Sequence, residues 1–247
     1  TMNADGSGSL VHADGSYETW DGEGEVAFTD ADGNTFSAED FEKGEFKYED
    51  GSSDVWSDDG SSTHTDPEGN EYQYKADGSG STNFADGSSE TWAADGSYSY
   101  EGSDGHSSSY NADGSGHSSY PDGSSETWHA DGSGEYQGAD GSSHEWKADG
   151  SGSMTHADGS TDNWHADGSG QWNDAQGNSN SWASDGSGSW TNADGSAGSW
   201  DADGSGSATY SDGSTETWNV DGSGSSTYAD GSGSTWSADG SGSWTNA

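Results

Sequence analysis

Asp95, Asp113, Asp131, Asp149, Asp167, Asp185, Asp203, Asp221 and Asp239 recur every eighteen residues, and each stands directly before a glycine. Carboxylates lined up along one edge of a repeat array repel each other, and a hard divalent cation with oxygen ligands relieves that repulsion. These nine aspartates are therefore candidate Ca²⁺ ligands, with Ser hydroxyls and turn carbonyls completing the shell. The plainer expectation for the same residues is turn geometry and solubility.

Other chemistry is harder to place. Of the eight histidines, His117, His129, His144, His156 and His165 follow no ligand spacing, and solvated surface is their expected role. Serine is too repetitive to mark a nucleophile, no nucleophile elbow is present, and no singular break in the scaffold suggests a catalytic centre. No enzymatic activity is expected. With no Cys, neither disulfides nor thiolate metal sites are available.

The composition excludes more than it suggests. The net charge is -43, all four cations are Lys, and Arg is absent. Such a field repels nucleic acid and anionic membranes, leaving cations, neutral glycans and copies of the chain itself as expected partners. No apolar run reaches membrane-spanning length. Acidic, Lys-poor surfaces suit screened, salt-rich surroundings, so an extracellular or cell-surface setting is expected. Only 24% of residues are apolar, Ile is absent and Leu occurs once, at Leu10, so no aliphatic core can form. By composition alone this is a disordered chain.

The period argues otherwise. From Gly6 in steps of nine there are 27 positions, and all but Glu42 are Gly. The preceding residue is Asp except at Glu23, Phe41, Glu68 and Gln176. A linker tolerates insertions, whereas a stacked array keeps its frame. Asp-Gly signals a turn, and the Ser, Thr, Trp and Tyr between turns suit a strand.

The aromatics reveal a period of eighteen. In alternate phrases one lies five residues after the glycine, forming a ladder: Trp92, Tyr110, Trp128, Trp146, Trp164, Trp182, Trp200, Trp218 and Trp236, broken in the earlier part at Ala38. In the phrases between, the aromatic sits at plus four (Tyr136, Trp172, Trp190) or plus six (Phe84, Tyr210, Tyr228). Where one of these two positions is large the other is small or polar, a volume rule that belongs to packing. An acidic residue often stands two before the ladder aromatic, at Glu18, Asp54, Glu90, Glu126, Asp162 and Glu216. It shares a strand face with the ring, which sits badly with a closed apolar core.

The period resembles that of the calcium-binding RTX β-roll, without its Gly-Gly-x-Gly-x-Asp motif, and Gly44 to Trp56 resembles MORN-type hairpin repeats at a shorter period. No family is assigned on these grounds. The expected fold is all-β: a β-solenoid with 18-residue coils of two nine-residue strand-turn units, or alternatively a long antiparallel meander of Asp-Gly hairpins. In the meander the fixed and wandering aromatics are expected on opposite faces. Residues 1–75 keep the frame with diverged wording and residues 76–247 are regular, and the whole is expected to be a segment of a longer array. The function expected is structural, as a rod, fibre or matrix component. The alternative is an adhesin-like, ice- or carbohydrate-binding module with exposed Trp and Tyr ladders.

Overall fold

The computed structural model describes residues 1–247 as two compact units, Thr1–Pro121 and Asp122–Ala247. Both are built from one nine-residue element, a four-residue strand and a five-residue reversal. In the segment around Asp95, strand Ser89–Trp92 turns through Ala93–Ser97 into strand Tyr98–Glu101. Ala93 N–H donates to the Ser97 carbonyl (2.9 Å) and Gly96 N–H to the Ala93 carbonyl (3.0 Å). This is a type I turn closed by a glycine bulge. Gly96 takes φ +89°, and no residue other than glycine has positive φ. An aspartate kept at negative φ cannot serve a type I′ loop, so the reversal needs a third loop residue.

The favoured solenoid is corrected by this turn. It reverses the chain by hydrogen-bonding its own two flanks, so each strand pairs antiparallel with the next. In the first unit one four-stranded meander runs from Gly8–Val11 to Thr35–Ser37. A second runs from Glu45–Lys47 to Gly116–Ser119. In the second unit the meander runs from Ser125–Trp128 to Gly242–Thr245. The change of wording near residue 75 falls inside one ladder, where Glu71–Tyr74 pairs with Gly80–Asn83.

The one lapse in the glycine frame, Glu42, marks the one helix, Ala38–Lys43. Without Asp-Gly the turn is lost. Ser37 and Asp40 form a reciprocal N-terminal cap, and Gly44 ends the helix at φ +67°. Phe36, Phe41, Phe46 and Tyr48 meet edge to face here, with Phe36 and Phe46 centroids 5.3 Å apart.

The register sets which side chains share a face. Trp92 lies opposite Gly80 on one neighbour and Tyr98 on the other, and Glu90 lies opposite Tyr100. Paired residues point the same way. Ladder aromatics and wandering aromatics therefore occupy one face, which corrects the expectation that a meander would part them. The reason is the reversal: position plus five on one strand meets plus two on the next, so the parity flips with the direction. The other face carries mostly Ser, Thr, Asn and Gln, with acidic residues at Glu71, Glu101, Glu135 and Glu145.

No layer covers the aromatic face within either unit's own meander, and no large side chain is fully buried. In place of a core, each ladder tryptophan from Trp92 to Trp236 lies across a glycine. Trp164 sits between Gly152 and Gly170, and Trp182 between Gly170 and Gly188. A methyl group added at Gly170 would come 2.5 Å from the Trp182 ring and 2.5 Å from the Asn163 carbonyl oxygen. The indole N–H then reaches the carbonyl of a turn glycine fourteen residues back. Trp92, Trp146, Trp164, Trp182, Trp200 and Trp218 all do so, at 2.8–3.1 Å.

Gly170→Ala should consequently destabilise the second unit by about 1–3 kcal/mol, the usual cost of overpacking. Gln171→Ala, on the opposite face, should stay within about 0.5 kcal/mol; denaturant melts compare the two. Deleting residues 203–220 should be tolerated, because it removes one two-strand unit. Deleting residues 204–212 should not, because every later tryptophan would change faces; tryptophan emission and the melting temperature report the difference.

Candidate binding face

On the aromatic face the rings are half-buried and open to solvent. Trp182 is 37% exposed, Tyr110 46% and Tyr74 47%. Tyr74 and Trp92 meet across Gly80 with centroids 5.7 Å apart, and Tyr98 and Tyr110 meet at 6.1 Å. The volume rule between plus four and plus six has a structural cause. Thr82 and Ala208, the small plus-four residues beside Phe84 and Tyr210, are each only 4% exposed.

The acidic residues two before the ladder aromatics are matched rather than buried. Tyr210 donates its hydroxyl to Glu216 at 3.0 Å, and Tyr48 to Asp54 at 2.6 Å. Where tyrosine is absent histidine takes its place: His12 meets Glu18 at 3.3 Å, and His156 meets Asp162 at 2.8 Å. Tyr48 is pushed up to about 12, chiefly by the Asp54 carboxylate accepting its proton and then by burial. Tyr98 also rises to about 12, through burial first and its bond to Glu90 second.

The opposite face is hydroxylated and uncharged over a long stretch. From Ser181 to Ser243 each rung of its central row is Ser or Thr. Neighbouring hydroxyls bond in pairs, as in Ser181–Ser189 at 2.8 Å and Thr217–Ser225 at 2.8 Å. In the first unit, Ser81, Thr91, Ser99 and Ser109 line a shallow groove of about 520 Å³ on this side.

The nine candidate Ca²⁺ ligands all sit in turns, one per turn and exposed. The Oδ1 of each accepts the backbone N–H of the serine two residues on, at 2.9 Å, and that serine's hydroxyl at 2.6–2.7 Å. The structure does not bring them into clusters, since no three His, Asp or Glu side chains converge on one point. Hydrogen bonds from its own serine hold the carboxyl of Asp185 below its ordinary 3.8, the hydroxyl contributing first and the backbone N–H second.

A second turn design escaped the sequence reading. Where asparagine follows the turn glycine, at Asn34, Asn70 and Asn178, an aspartate stands four residues earlier, at Asp30, Asp66 and Asp174. That aspartate takes the asparagine's backbone and side-chain N–H groups. The asparagine Oδ1 is left to accept a backbone N–H from the next turn on the same edge, as from Ala193 to Asn178 at 2.8 Å. The fixed pairing of Gly-Asn with this aspartate was the available signal.

No protein family and no curated protein matches the chain. Among solved structures, the TCP10 domain of Danio rerio CPAP in complex with a peptide of Danio rerio STIL is 20% identical, with a TM-score of 0.40 over 79% of this chain and 99% of that one. The SAS-4 TCP domain of Drosophila melanogaster, in complex with a proline-rich motif of Ana2, is 18% identical, with a TM-score of 0.27 over 66% and 92%. The CPAP G-box domain, whose structure suggests a role in centriole elongation, is 20% identical at a TM-score of 0.27, over 72% and 99%. At such identities and TM-scores the likeness carries nothing about setting, and the extracellular or cell-surface expectation drawn from composition is taken no further.

A carboxyl whose folded pKa lies below 3.8 contributes stability above that pH and loses it as pH falls through the folded value. The melting temperature should therefore contain a turn contribution that disappears below pH 3.8. In a carbon-detected pH titration, Ser187→Ala should move the Asp185 midpoint up toward 3.8. An unmoved midpoint would remove the serine hydroxyl as the cause.

Proposed function

We propose that the chain is a structural scaffold that works as a protein-docking strip rather than as an enzyme, its aromatic face receiving an extended partner segment. One observation supports this most directly: each ladder aromatic shares a face with the wandering aromatics, and that face stands half-exposed on a single layer. Rings spaced along a strip suit a segment already extended, such as a proline-rich helix, which binds aromatic grooves at little entropic cost. The charge of -43, concentrated at the turns that flank the face, favours a segment carrying Lys or Arg. Stiffness follows from the repeat itself, because each strand is braced only by its neighbours and the frame admits no slip.

Binding is measured by tryptophan fluorescence with a basic proline-rich peptide, an acidic peptide of the same proline content, and a basic peptide without proline. Only the first should give a saturable change, and Trp164→Ser should weaken it while Asn163→Ser, on the hydroxyl face, should not. Equal binding of both basic peptides would reduce the interaction to charge alone and sink the aromatic docking site.

A further inference from the structure

We infer that His144, Met154 and His156 form a binding site for one Cu(I) ion on the aromatic face of the second unit. In the linear sequence these residues have no ligand spacing, and the strand register is what unites them. Met154 lies on strand Gly152–Thr155, and His144 stands directly opposite it on strand Ser143–Trp146. Opposed side chains of this kind have Cβ atoms about 4.5–5.5 Å apart. His156 is two residues beyond Met154 and so returns to the same face, about 7 Å along the strand. The three residues line one groove of about 510 Å³ together with Tyr136. Three rotatable bonds let the methionine sulfur adjust to an ion between the two rings.

Both imidazoles are already oriented. His156 is 2.8 Å from Asp162 through Nε2, and Asp162 faces Met154 from the strand on the other side. With Nε2–H donated to the carboxylate, Nδ1 keeps its lone pair, which is the outer-sphere arrangement that fixes a metal-binding histidine. His144 is held by ring packing, its centroid 5.3 Å from Trp146 and 5.6 Å from Trp164. The donor set of two imidazoles and a thioether, with no thiolate, suits Cu(I) rather than a hard cation. Asp140 and Asp158 also line the groove, but no three His, Asp or Glu side chains converge there to build an oxygen-rich site. The acidic field of the whole chain raises the local concentration of any cation.

The test is anaerobic titration of the full chain with Cu(I) against a chromophoric chelator, followed on protein carrying ¹³C-methyl methionine. The chain has two methionines, Met2 and Met154, so two methyl signals are expected. One equivalent should be withheld from the chelator, and only the Met154 methyl should shift. Met154→Leu keeps the volume and should abolish retention, while Asp162→Asn should weaken it about 10–100-fold. His165→Ala, on the hydroxyl face, should change nothing. The site is overturned if the wild-type chain withholds no Cu(I), or if Met154→Leu retains the ion as well as wild type. It is also overturned if Zn²⁺ protects the chain equally and leaves both methyl signals in place.

Discussion

The structure depends on a tryptophan lying flat over a glycine. A single-layer sheet has no second layer to bury its rings, so each indole must find its contact surface within the sheet. Glycine on the neighbouring strand supplies that surface, because a single methyl group there would overlap the ring. The N–H at the ring's far edge then satisfies a turn carbonyl, which ties the strand centre to the reversal beside it. Rows of such contacts, each joining a strand to its predecessor, replace the compact core that this composition cannot make.

That arrangement also explains how so acidic a chain folds. The turn carboxylates stay exposed, and their small desolvation is outweighed by the hydrogen bonds they accept. Each closes its own loop by accepting N–H and O–H bonds from its serine, which favours the ionised form. Several strand acids meet a tyrosine or histidine, as Glu216 and Asp162 do six residues after their partners and Glu90 does with Tyr98, so they are partnered without any lysine. Repulsion between edges is tolerated because consecutive turns alternate sides of the sheet.

Much of this was legible in the sequence. The nine-residue element, the strand-turn division and the location of the irregularity at Ala38 and Glu42 all follow from the glycine frame. The volume rule at plus four and plus six was readable, and Ala208 and Thr82 show its cause. The solenoid failed because a period gives spacing without direction. Whether two strands separated by five residues run parallel or antiparallel is decided by turn hydrogen bonds that spacing does not encode. The second glycine of Asp-Gly-Ser-Gly carries no signal in the sequence, although Gly170 is kept clear for the Trp182 ring and Gly188 for the Trp200 ring. The His144–Met154 pairing was invisible for the same reason, since it exists only once the antiparallel register is known.

The register finally divides the sheet into two surfaces with different capacities. On one, rings stand above glycine and expose apolar area whose burial is favourable in water. On the other, Ser181, Ser189 and Thr217 belong to a row whose hydroxyls bond in pairs and whose neighbours are uncharged. Exchanging water for another polar group there changes little, because the net value of a neutral hydrogen bond is only about 1 kcal/mol. A partner therefore gains more from the aromatic side at equal contact area. The hydroxyl side, with few charges such as the facing Glu135 and Glu145, is a surface that water already satisfies, so the two sides of one layer differ in what burial would gain.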